Sequence, residues 1–155
     1  MSEVRVRVSR LVRNSDSQYL LVLQDDASHL LPMVIGPCEA MAIGSVLRPQ
    51  GEAPVSRRPT THDLVSRLIE GLGGRVTKVV IDDLWNGVYY AKIHVAVGEE
   101  VRTIDARPSD GVAIGLRAEA PLYAAESVLA AANETQTSEA PPEAPLGPDL
   151  DLDDF

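Results

Sequence analysis

The chain has a single cysteine, Cys38, so it can form no internal disulfide, and zinc sites built from several thiolates are excluded. Aromatic side chains are scarce: one Trp, one Phe and four Tyr offer no stacking platform for single-stranded nucleic acid. No apolar run approaches the roughly 18 to 20 residues that a bilayer span requires. A glycine-rich phosphate loop, zinc-ligand spacing and a nucleophile elbow are also missing. The opening stretch, MSEVRVRVSRL, alternates apolar and polar residues where a signal peptide has an apolar block before its cleavage site. The expectation is a cytoplasmic protein that does not enter a membrane.

Basic charge is short as well, but unevenly so. The net charge is -9. Seven acids and no base lie from Glu134 onward, which leaves residues 1–133 with 16 acids against 14 bases. A nearly neutral body lacks the footprint of a tight phosphate binder, although it can meet nucleic acid transiently at a small site. Residues 134–155 are rich in proline and acid and poor in large apolar side chains, so they are read as a disordered acidic tail. Within it, Leu150, Leu152 and Phe155 stand among acids, so 149–155 is also a candidate docking motif for a protein partner.

What is present is periodicity, and it occurs twice. VRVRVSRLV (4–12) alternates with period two; QYLLVLQ (18–24) and HLLPMVI (29–35) read as further strands. GPCEAMAIGSVL starts a helix with Pro37 at its first position and Glu39 in its first turn. TTHDLVSRLIEGLGG is a second helix, with Thr60 as cap, Asp63 three residues on, and Gly73-Gly74 at its end. The second half repeats the course: RVTKVVIDDL, an Asn86-Gly87 hairpin, VYYAKIHVAV, EVRTIDA, then helices over RPSDGVAIGLRA and APLYAAESVLAAA (120–132).

An offset of 71 places Pro37 on Pro108, Cys38 on Ser109 and Glu39 on Asp110, and pairs Ala42-Ile43-Gly44 with Ala113-Ile114-Gly115. The predicted fold is therefore α+β: duplicated β3-α2 units, about 4–74 and 75–132, in a single barrel-like mixed sheet with helices outside. Half of this length would be marginal alone. The Pro-x-acid pattern common to both copies is local grammar for starting a helix. Asp105 and Arg107, which replace Val34 and Gly36, belong to the second copy only.

Each polar candidate has a bland reading. Asp105 can pair with Arg107 two residues along, Asp110 can serve as a helix-start acid, and Ser109 can cap. His62 sits in a first helical turn, where a neutral imidazole can accept a proton or bind metal. In the bland account it is an exposed first-turn residue beside an Asp63–Arg67 pair at i+4. Arg5, Arg7, Arg10 and Arg13 form a basic strip on the first strand, and Arg57 and Arg58 lie in the long loop. Both groups could touch phosphate or simply be solvated.

LPMVIGPCEAMAI, RPTTHDLVSRLIEGLGGRV and IDARPSDGVAIGLRAEAPLYAAESVL resemble the signature blocks of the bifunctional nuclease domain family, over roughly residues 4–130. The resemblance implies a duplicated fold in one barrel-like sheet, a homodimer, and a nuclease hydrolysing phosphodiester bonds of both DNA and RNA, met as transient substrates. The family's recurrent polar positions fall on Glu39, His62, Asp63, Asp105, Arg107, Ser109 and Asp110. The catalytic candidates it implies are His62, Asp105, Asp110 and Arg107, with His62 as general acid or base. Substrate contacts would come from Ser109, Arg57 and Arg58. Asp105, Asp110 and Glu39 are the candidate ligands for a divalent cation such as Mg2+ or Mn2+. The competing expectation is a non-catalytic ligand- or protein-binding regulatory module whose acidic tail docks a partner.

Overall fold

The computed structural model describes residues 2–48 and 58–138. The first half gives three strands, β1 (Glu3–Arg13), β2 (Tyr19–Asp25) and β3 (Leu30–Ile35), then helices α1 (Pro37–Leu47) and α2 (Thr61–Gly71). The second half gives β4 (Gly74–Trp85), β5 (Val88–Val97), β6 (Glu100–Ala106), α3 (Pro108–Arg117), β7 (Leu122–Ala125) and α4 (Glu126–Ser138). Asn86 and Gly87 both take the left-handed backbone (φ 52 and 75), as a two-residue type I′ turn requires.

All strands belong to one seven-stranded mixed sheet in the order β3-β2-β1-β7-β4-β5-β6. Each half contributes an antiparallel meander, and β7 joins them, antiparallel to β1 and parallel to β4. The expected closure does not occur. β3 and β6 are the two edges, so the sheet is open where a barrel-like one was predicted. The other departure is β7 itself, since residues 122–125 were expected to start a helix. Leu122, Ala124 and Ala125 are buried between the two meanders, and four residues are too few for alternation to show in the sequence. The last helix runs on to Ser138, past the expected end at 132. Among the described residues no helix is long and apolar enough to cross a membrane.

The period-two pattern sorts the sheet into two faces. One carries Val6, Leu21, Leu23, Val79, Ile81, Ala91, Ile93 and Leu122 into a single core, which α1, α3 and α4 complete with Ile43, Val112 and Val128. Burying each such aliphatic side chain contributes about 1.5–3 kcal/mol. Helix α3 lies directly on this face. A Cβ at Gly111 would meet Val79 Cγ1 at 2.9 Å, and one at Gly115 would meet Leu122 Cδ2 at 2.8 Å. That close seating fixes the start of α3 against β5 and thereby positions the site.

Candidate functional site

Helices α1, α2 and α3 bring their N-termini to one place. Pro37 and Pro108 occupy the first turns of α1 and α3, where a missing N–H costs nothing. Helix α2 opens with a capping box. The backbone N–H and the hydroxyl of Thr60 both donate to Asp63 Oδ2, at 2.9 and 2.8 Å. Each helix carries an acid in its first turn, Glu39, Asp63 or Asp110, opposite the positive end of its dipole.

From the first turn of α2, His62 reaches α3, with Nε2 at 2.8 Å from Asp110 Oδ1. A carboxylate only accepts, so Nε2 carries the hydrogen, and in the neutral ring Nδ1 is the basic nitrogen. Arg107 donates from Nε to Asp110 Oδ2 at 2.7 Å and from Nη2 to Glu39 Oε1 at 2.5 Å. Glu39, Arg107, Asp110 and His62 therefore form one continuous chain across three helices. Arg107 is 66% exposed, whereas Glu39 and His62 are 12% and 14% exposed, so the guanidinium covers the cluster. Burial works to raise the pKa of Asp110, but the hydrogen bonds from Arg107 and His62 outweigh it and hold the carboxyl below its ordinary value. The bonds to Asp110 and Glu39 push the Arg107 guanidinium upward, so it is a permanent cation.

A second layer holds this chain in place. Arg117, only 8% exposed at the end of α3, donates from Nε to Asp63 Oδ1 at 2.8 Å. Its Nη1 donates to the carbonyls of Ala42 and Ala113 at 2.8 and 2.9 Å. One side chain thus ties α1, α2 and α3 together. The sequence reading missed it; the one local signal was a lone cation closing a helix that is apolar from Gly111 to Leu116. Asp63 pairs with Arg117, not with Arg67 as the i+4 spacing suggested.

The cluster lies at one end of an open groove of about 1150 Å3. The groove is mostly aliphatic: Val65 and Ile69 of α2 and Leu72 at its C-cap face Ile93, Val95 and Ile104 of the sheet. Cys38 also lines it and is exposed.

Asp105 does not join the cluster. Asp105 also lines the groove, but strand β6 alternates, so Arg102 and Ile104 share one side with Val95 and Ile93, their cross-strand partners, while the Asp105 carboxylate leans to the opposite side of the strand. There it accepts from Lys92, its cross-strand partner, at 2.5 Å and not from Arg107. Ser109 is buried (7%) and is absent from the groove lining. Arg58 is exposed, and Arg57 lies outside the described residues. The basic strip of β1 is engaged locally: Arg7 pairs with Asp26 at 2.9 Å, while Arg5 and Arg13 stack over Tyr123 and Tyr19. The divalent-cation trio Asp105, Asp110 and Glu39 does not assemble either. Asp105 is bonded to Lys92, and the other two are bonded to Arg107. Among the described residues no group of three His, Cys, Asp or Glu side chains could hold a metal ion. The donor set does not fit a preformed cation site.

The family profile of the bifunctional nuclease domain matches residues 21–137. An uncharacterized protein of Mycobacterium tuberculosis, strain H37Rv, is 41% identical over 132 residues, covering 85% of this chain and 76% of its own length. Bifunctional nuclease 1 of Oryza sativa subsp. japonica is 31% identical over 121 residues; these cover 75% of this chain but 35% of the rice protein.

Proposed function

The chain belongs to the bifunctional nuclease domain family, and from that premise we propose that it hydrolyses phosphodiester bonds of DNA and RNA at the His62–Asp110–Arg107 cluster. The observation that carries this reading is the 2.8 Å contact between His62 and Asp110 beside an exposed arginine, where three helix N-termini meet. Asp110 orients the imidazole and stabilises it once it becomes cationic. Nδ1 of His62 takes a proton from the attacking water as the new P–O bond forms. Arg107 holds its carboxylates through Nε and Nη2, which leaves the Nη1 hydrogens as donors to the negative charge that grows on the phosphoryl oxygens. The broken bond's oxygen leaves and is protonated from His62 or from water. The dipole ends of α1, α2 and α3 add positive potential at the same point.

Family resemblance supports two further parts of the reading: the two meanders are copies of one unit, and the chain works as a homodimer, which sedimentation would check.

Cleavage of end-labelled single-stranded DNA and RNA tests the chemistry. His62→Ala and Asp110→Asn should each slow both reactions about 10²–10⁴-fold, the range of a lost general base. Arg107→Ala should slow them by about 10²–10³-fold. Asp105→Asn should leave the rates within a small factor of the parent. Rates unchanged in the first three purified variants would reject the site.

One observation favours the second reading, a non-catalytic binding module. The groove beside the cluster is aliphatic, where a channel for nucleic acid would be basic. On that reading Arg107 recognises an anionic group on an apolar ligand or a protein, and no variant of His62 alters any turnover.

A further inference from the structure

Helix α2 has no buried residue, although its apolar residues recur at helical spacing. Ile69 and Leu72 line the groove, Leu72 being 81% exposed, and across it Ile104 is 49% exposed. Such a groove suits an extended segment with apolar side chains on one side. Arg48, Arg102 and Arg107 line it, and its acids Glu39, Asp105 and Asp110 are already bonded to Arg107 or Lys92; Arg102 is 65% exposed, and its ion pair with Glu100 stretches to 3.5 Å. The occupant that fits is therefore apolar on one side and acidic on the other.

The chain itself contains such a segment. Residues 149–153, DLDLD, alternate so that an extended backbone would put Leu150 and Leu152 on one side, about 7 Å apart, and Asp149, Asp151 and Asp153 on the other, before the pattern ends at Asp154-Phe155. The connection from Ser138 to Asp149 can reach about 36 Å at 3.3 Å per residue, which exceeds the radius of a domain this size. Tethering also gives the segment an effective concentration of order mM, enough for weak contacts to hold.

We propose that residues 149–155 dock in the groove between α2 and β6 of the same chain, with Leu150 and Leu152 against Ile69, Leu72 and Ile104 and the acids toward Arg102 and Arg107. The docking rests on the chemistry of the groove and is independent of the phosphodiester reading.

The lone cysteine supplies the test, because Cys38 is exposed and lines the groove. A nitroxide on Cys38 of the full 15N-labelled chain should strip most of the intensity from the amide signals of 149–155. In Leu150→Ser/Leu152→Ser those signals should regain it. Without any label, the methyl signals of Ile69, Leu72 and Ile104 should shift between the parent and this double variant. Full amide intensity with unshifted methyls would overturn the proposal. So would loss of intensity that appears only when spin-labelled chains are mixed with 15N-labelled Cys38→Ser chains, since the segment would then be seated in a second copy.

Discussion

Asp63 shows how one carboxylate links a local signal to a distant one. Burial works to raise its pKa, but bonds from the Thr60 backbone, Arg117 and the Thr60 hydroxyl prevail and take it from 3.8 to about 2. A carboxyl with a depressed native pKa stabilises the fold above its unfolded value, and that contribution fades as pH falls through the native one. For Asp63 the window lies between about pH 4 and 2. Asp110 and Asp25 are shifted in the same direction. Thermal melts should therefore show stability falling through that range, less steeply in Arg117→Met, where Asp63 has lost its cation. At neutral pH the same variant should unfold about 2–3 kcal/mol more easily, the scale of a lost hydrogen bond to a charged group, as read by urea titration. The capping half of this arrangement was legible in the sequence, because Thr60 and Asp63 are three residues apart. The Arg117 half was not. It spans 54 positions, and Arg67 stood at the spacing a helix favours.

Among the elements, long alternating strands and capped helices were readable because each carries its own period. The short strand β7 carries none, and its place is set by what lies on either side. Val79 N–H donates to the Pro121 carbonyl at 3.0 Å, and Leu122 pairs with both Val6 and Val79. The open sheet was illegible for a related reason: whether edges meet depends on accumulated twist, which residue pattern does not record. The seam also depends on α3 lying close. Replacing Gly115 with valine would drive its branched side chain into Leu122 and Val79. The expected cost is about 1–3 kcal/mol of overpacking, seen as a melting temperature lower by several degrees. An unchanged melting temperature would mean that α3 can lift off the sheet freely.

For the molecule as a whole, the repeated sequence pattern marks residues that the structure brings together in part. Both helix starts identified by the repeat, at Glu39 and Asp110, reach the cluster, and Arg107 bridges them. Asp105, which replaces Val34, lines the groove but bonds to its cross-strand partner Lys92 and not to Arg107, and that strand partnership was not legible in EVRTIDA alone. Charge gives the last expectation. Residues 1–133 hold 16 acids and 14 bases, and the arginines of β1 named above are occupied by Asp26, Tyr123 and Tyr19. If Arg107 and one neighbouring cation supply the phosphate contacts, log K for a single-stranded oligonucleotide should fall with log salt at a slope near -1.4, about -0.7 per contact. Fluorescence anisotropy across a salt series, using His62→Ala so that the probe survives, measures it. A slope several times steeper would require an extended basic surface, and the small end-of-groove site would then be the wrong description of how this chain meets nucleic acid.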